Sequence, residues 1–237
     1  MTEIRSWMKS YAEKAQETFA GRIRFIGLQG SYGREEASEN SDIDVVLILD
    51  RLDAEDLKKY SDMLDTLPQR ELVCGVVSGW GEIENWEASD LFQFCHDTIP
   101  VVGSLDRLME KIHREDVQRA VKIGACNIYH MCVHNMVHEK DAAILRELYK
   151  SARFTVQAVL YLQKGRYEKQ RSRMIPLLRP QERKIMENEA KIRQILDERS
   201  CPDEEFAGLS DELLAWASEW IQSRRFSMCP EKGEELL

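Results

Sequence analysis

The sequence predicts a mixed α+β domain followed by an all-α helical-bundle domain, and three observations lead there. Over roughly the first hundred residues, segments with alternating apolar residues are interleaved with segments whose apolar residues recur every three or four positions. Beyond residue 105 the three-to-four recurrence takes over almost throughout. The stretch "GLQGSYGREEASENSDIDVVLILD", residues 27–50, sets a glycine-bounded turn ahead of an apolar segment that carries two aspartates. Alternation suits strands, whose successive side chains point to opposite faces, and three-to-four recurrence suits one face of a helix.

Residues 3–19 carry Ile4, Trp7, Met8, Tyr11, Ala15 and Phe19 at helical spacing, which predicts an amphipathic helix lying on the domain. "RIRFIGLQG" then alternates and is rich in β-branched and aromatic residues, so residues 22–28 read as a strand ending at the glycines. "DIDVVLILD" reads as a second, mostly buried strand, "DAEDLKKYSDMLDTLP" as a helix stopped by Pro68, and "ELVCGVVSG" as a third short strand. Strand, turn, strand, helix and strand in so short a span describe a compact α/β unit. In "ENWEASDLFQFCHDTIPVVGSLD", Trp86, Phe92 and Phe94 read as core, while Glu84, Glu87, Asp90 and Asp97 suit the lining of a cleft that takes a cationic small molecule such as an aminosugar. The later helices turn near His138 to Asp141, end at Gly165, and resume over 180–198 and over 210–225, the last with Leu213, Leu214, Trp216 and Trp220. The expected domains are therefore 1–106 and 107–237.

The chain has 237 residues and is 43% hydrophobic, enough to build real cores. Its formal net charge of −9 argues against sequence-independent binding to DNA or RNA, which needs clustered Lys and Arg against phosphates. No apolar run approaches the roughly 20 residues of a transmembrane helix, so no membrane partner is expected. The six cysteines, Cys74, Cys95, Cys126, Cys132, Cys201 and Cys229, form no CxxC pair, and "MTEIRSWMKSYAEKAQ" is polar and amphipathic, unlike a signal sequence. The expectation is a cytoplasmic protein with reduced, core-packed thiols. A homodimer is compatible with the sequence.

The two aspartates raise the sharpest chemical question. An ionised carboxylate in an apolar strand costs several kcal/mol unless something pairs with it. Asp42 and Asp44, two apart, project from one face of a strand with Cα atoms about 6.5–7 Å apart. That separation lets both converge on one divalent cation, and Mg2+ favours carboxylate oxygen. Such an ion also holds phosphate oxygens, as phosphoryl or nucleotidyl transfer requires. In the preceding turn, Gly30 and Gly33 allow close backbone approach to a ligand and Ser31 offers a hydroxyl and a helix N-cap. Arg34 adds a phosphate-binding guanidinium. His130, His134 and His138 share one helix face, but they span about 12 Å by helical rise and cannot share one ion.

At these residues the chain resembles a known family. "GSYGREEASENSDIDV" is similar to the Gly-Ser, spacer, Asp-x-Asp signature of the polymerase-β-like nucleotidyltransferase superfamily. The likeness is greatest to its small prokaryotic branch and to the antibiotic nucleotidyltransferases with a helical carboxy-terminal domain, and it covers residues 20–105. The resemblance implies that Gly30 and Ser31 bind the triphosphate and that Asp42 and Asp44 hold Mg2+. It further implies that an acceptor hydroxyl attacks the α-phosphate of a nucleoside triphosphate, expected to be ATP, and releases pyrophosphate. The acceptor is expected to be a small molecule, such as an aminoglycoside-like antibiotic. The family usually adds a third carboxylate from a later strand, whereas "ELVCGVVSG" has Cys74 and Gly75 at its centre. Glu71, Glu82, Glu84 and Asp97 are the candidates to replace it. Two alternatives stay open: a relative that binds nucleotide or a partner without turnover, and an enzyme that modifies a protein side chain.

Overall fold

The computed structural model describes residues 2–38, 41–198 and 200–223. Cys229 and the last two residues of the helix expected to reach 225 lie outside them. The chain divides into two compact units, Met1–Asp116 and Val117–Leu237.

The first unit is built on a four-stranded sheet of β1 (Ile23–Leu28), β2 (Ile43–Leu49), β3 (Val73–Gly79) and β4 (Ile99–Val102), in the order β3-β2-β1-β4. β1 runs antiparallel to both β2 and β4. β2 and β3 are parallel, a pairing that requires a crossover, here supplied by α3 (Ala54–Leu64). Asp53 starts α3 by accepting from the backbone N–H groups of Glu55 and Asp56, and Asp56 returns a bond to the Asp53 backbone.

The alternation along β2 sorts its side chains between two layers. Ile43, Val45, Leu47 and Leu49 pack with Met63 and Leu64 of α3 and with Trp7, Met8, Tyr11, Ala15 and Phe19 of α1 (Thr2–Phe19). The Trp7 indole N–H donates to the Pro68 carbonyl at 2.9 Å, and the Tyr11 and Tyr60 hydroxyls share a hydrogen bond of 3.1 Å. Val46 and Ile48 point the other way, with Phe25, against Ile83, Leu91, Cys95, Leu105 and Leu108. Those residues come from or lie beside three short helices, α4 (Trp80–Glu84), α5 (Ala88–Asp97) and α6 (Asp106–Met109). Of the expected core aromatics, Phe92 is buried and Phe94 partly so, whereas Trp86 is 45% exposed with its ring 6.0 Å from that of Phe94. Trp86 stands in the α4–α5 connection, outside the buried cluster that Phe94 packs against.

Away from the turn, Arg22 clasps Asp56 through two bonds, Nη1–H to Oδ1 at 2.6 Å and Nη2–H to Oδ2 at 2.8 Å. It also donates to Asp50 and to the Arg51 carbonyl.

The second unit takes up α7 (Arg114–His134) from Val117 onward, α8 (Ala142–Lys164), α9 (Arg171–Met174), α10 (Pro180–Glu198) and α11 (Asp203–Gln222). α7 buries Val117, Val121, Ala125, Ile128 and Cys132, one stripe at three-to-four spacing. It ends in a π turn over Asn135–Glu139, after which Lys140 is left-handed and Asp141 caps α8. α8 is central and packs on both α10 and α11. The Tyr149 hydroxyl donates to the Leu209 carbonyl at 2.7 Å and accepts from the Asn188 amide at 3.1 Å, tying all three helices together.

Candidate active site

β1 ends at Leu28, and Gln29 leads in extended conformation into a single helical turn, α2 (Gly30–Gly33). The sequence places Ser31 at the helix N-cap. In the structure Gln29 holds that position and Ser31 lies inside the turn, because the left-handed Gly30 (φ 65°) bends the chain one residue earlier. Glycine is required there twice over: a side chain disfavours that φ, and a Cβ would overlap the Oδ2 of Asp44. The Gln29 backbone N–H donates to the Asp44 carbonyl at 2.7 Å. The turn and the acidic strand are therefore in direct contact. Gly33 is buried, and a Cβ on it would lie 3.1 Å from the Leu28 carbonyl oxygen.

Asp42 is exposed just ahead of β2, and Asp44, inside it, is half-buried. Asp44 shares its strand face with Val46 and Ile48. In the parallel register Asp44 is opposite Cys74, and Cys74 is exposed. Gly75 next to it has φ 129°, and a Cβ there would overlap the Val45 carbonyl oxygen, so no carboxylate-bearing residue fits that position.

The four candidates for a third carboxylate divide by place. Glu82 folds back toward Gly79, which pairs with Leu49, so it belongs to the opposite end of β3 from Cys74, about 16 Å along the strand. Glu84 is engaged by Arg107 at 2.6 Å and Lys111 at 3.3 Å, which removes it from the expected acidic lining. Glu71 is exposed in the turn before β3, toward the end of the sheet that carries Asp42. Asp97 is buried at the C-terminus of α5, where its Oδ2 accepts from Arg34 Nη1 at 2.7 Å. Among the described residues no three His, Cys, Asp or Glu side chains come together as a metal cluster. His134 and His138 lie with ring centroids 4.9 Å apart on the second unit, and His134 Nε2 is 3.4 Å from Glu139.

Two residues that sequence reasoning missed fix the turn. The Gln29 side-chain amide donates to the Thr98 hydroxyl at 2.6 Å and to the Phe94 carbonyl at 3.2 Å. Thr98 donates in turn to that same carbonyl at 2.5 Å. Neither residue belongs to a recognisable pattern, since the bond spans 69 positions of sequence.

The donor set fits Mg2+. Asp44 inside β2, half-buried, and Asp42 just ahead of it, exposed, supply hard oxygens, and Mg2+ commonly takes one or two carboxylates and completes its shell with water and substrate phosphate. The absence of a Cβ at Gly30 lets the Asp44 carboxylate lie directly against the backbone of the turn.

Five cysteines are described, and all are free thiols. The expectation that they are core-packed holds for two. Burial pushes the Cys95 thiol up to about 12 and the Cys132 thiol up to about 11, so both stay protonated at neutral pH. Cys74 and Cys126 are exposed because one lies on an edge strand and the other on the outward face of α7. Among the described residues, no helix is long and apolar enough to cross a membrane.

Residues 8–123 match the family model described as nucleotidyltransferase domain. No curated protein matches the chain. Among solved structures, the chain is similar to the spectinomycin adenyltransferase AAD(9) from Enterococcus faecialis, crystallised with ATP and spectinomycin. The identity is 13% and the TM-score 0.52, over 88% of this chain and 98% of that one. At that identity the likeness carries the fold, and it extends beyond the matched domain into the helices that follow.

Proposed function

Since the chain carries a nucleotidyltransferase domain over residues 8–123 and is an enzyme of that type, we propose that it moves a nucleoside monophosphate, AMP from ATP, to a hydroxyl of a small-molecule acceptor. The observation that carries this reading is the contact between turn and strand: Gly30 lies directly against Asp44, and the Gln29 N–H binds the Asp44 carbonyl. A phosphate chain laid on the turn thereby meets the two carboxylates that would hold its cation.

In this reading Gly30, Ser31 and Arg34 hold the triphosphate, through backbone N–H groups, a hydroxyl and a guanidinium, while the buried Gly33, whose N–H donates to the Gln29 carbonyl at 3.0 Å, keeps the turn tight. Asp42 and Asp44 would hold Mg2+, which when bound offsets the charge of the triphosphate and of the departing pyrophosphate. The acceptor oxygen forms a bond to the α-phosphorus as the bond to the bridging oxygen of the β-phosphate breaks. The hydroxyl proton passes to a carboxylate base, and pyrophosphate leaves with the bonding electrons. The likeness to an adenyltransferase bound to ATP and spectinomycin supports ATP as donor and an aminoglycoside-like antibiotic as acceptor, by analogy.

Calorimetric titration of the purified protein with each Mg-nucleoside triphosphate tests the reading, repeated on the Asp42→Asn, Asp44→Asn double variant. Micromolar binding of one nucleotide, much weakened in the variant, is the expected result. Failure of every nucleotide to bind would overturn it.

A further inference from the structure

Asp97 and Thr98, adjacent in sequence, grip the 29–34 turn at its two ends. Thr98 takes the Gln29 amide at the entry, and Asp97 takes the Arg34 guanidinium at the exit. We propose that Asp97 is a positioning residue for nucleotide binding: it orients Arg34 toward the phosphates. The inference rests on the nucleotidyl-transfer reading above and adds a residue to it.

The geometry supports a fixed rather than a yielding anchor. Asp97 is buried, and two residues further on Ile99 pairs with Leu28, so the backbone on both sides of the turn belongs to one sheet. Thr98 is buried as well, and its hydroxyl is tied to the last turn of α5 through Phe94. The Arg34 side chain is itself only 11% exposed, with Glu36 at 3.7 Å from its Nε. A guanidinium is a planar fork of five N–H donors, so fixing one nitrogen sets the direction of the rest. An arginine held in place before the ligand arrives loses less rotamer freedom on binding, and that saving appears as affinity. A carboxylate that merely competed with phosphate for Arg34 would act in the opposite sense, and the two cases separate experimentally.

The test is a cycle of four proteins, wild type, Asp97→Asn, Arg34→Ala and the double variant, each titrated with MgATP by calorimetry after its thermal unfolding has been recorded. Asn keeps the shape of the side chain and still accepts a neutral hydrogen bond, so the fold is expected to persist. The expected result is about tenfold weaker MgATP binding in Asp97→Asn, the loss of one charge-assisted hydrogen bond's orienting effect. In the Arg34→Ala background the Asp97→Asn change should add nothing, and Asp97→Glu should recover part of the affinity. Binding by Asp97→Asn that equals or exceeds wild type would overturn the proposal. So would an equal loss with and without Arg34, because Asp97 would then act by some route other than the guanidinium. Wild-type protein that binds no Mg-nucleotide would instead overturn the underlying nucleotidyl-transfer reading, and the positioning role would fall with it.

Discussion

Gly30 and Asp44 occupy space that leaves no room for a single methyl group between them. One residue belongs to the turn after β1 and the other to β2, so the phosphate-binding and metal-binding halves of the proposed site are joined by direct contact. A disturbance of either one displaces the other.

Gly30→Ala is therefore expected to fail in function while keeping its fold. The left-handed φ costs about 1 kcal/mol for a residue with a side chain, and the added Cβ drives the Asp44 carboxylate out of place. Pyrophosphate release should fall by at least about 100-fold, with a melting temperature only a few degrees lower. A variant with near-normal turnover would show that the contact is incidental.

Asp42→Asn and Asp44→Asn should separate stability from activity. Asp42 and Asp44 stand two residues apart, one just ahead of β2 and one inside it, and their like charges repel each other. Removing one charge should leave the melting temperature unchanged or slightly raised while nucleotide turnover collapses, the usual signature of residues kept for function. Thermal unfolding and pyrophosphate release on the same preparations measure both. A large loss of stability in either variant would mark that carboxylate as structural.

At Arg22 and Asp56 the opposite outcome is expected. The hydrogen bonds from Arg22 hold the Asp56 carboxyl below the usual carboxylate range. A depressed folded-state pKa adds stability at pH values above the unfolded one, and that stability is lost as pH falls through the folded value. Acid should therefore weaken the wild type progressively below about pH 4, and Asp56→Asn should lose the part of that dependence that Asp56 contributes, while Asp50, also held low, keeps its own. Arg22→Ala should lower stability, though by less than the loss of a fully buried pair, because Arg22 remains 31% exposed. Urea unfolding across pH 3 to 7 checks both claims.

The thiols give a test of the site that needs no assay of turnover. Cys74 and Cys126 should react with a maleimide first, and Cys95 and Cys132 only after unfolding, as burial and a raised pKa both protect them. MgATP should slow the labelling of Cys74, the strand neighbour of Asp44, and leave Cys126 unaffected. Peptide mapping by mass spectrometry reads both sites. Equal protection of the two cysteines, or of neither, would place the nucleotide elsewhere.

Much of this was legible in the sequence because the signals are local. The spacing of Trp7, Met8, Tyr11, Ala15 and Phe19 identified α1, and all five are buried. The short apolar run from residue 43 to 49 identified β2 as a mostly buried strand, and the glycines marked the turn. What stayed hidden depends on distant partners. β4 has only four residues, all exposed and with Pro100 among them, so it carries no alternation and exists by pairing with β1. Arg34 reads as a phosphate ligand, and nothing in its neighbourhood announces Asp97, 63 positions away. The exposure of Cys74 was equally invisible, since edge and centre strands are distinguished by sheet order rather than by composition.

The late arrival of β4 sets an order of assembly. β1 and β2 are close in sequence and pair early, and β3 follows after one helix. Through all of this the turn between β1 and β2 is held by its contacts with β2 alone, because Asp97 and Thr98, which grip its two ends, are synthesised more than 60 residues later. Closing so long a loop is an entropic cost met only when the fourth strand docks. A nascent chain halted before residue 97 would thus have most of its sheet and both acidic residues, yet the turn would lack its grip, making the site one of the last parts of the first unit to mature.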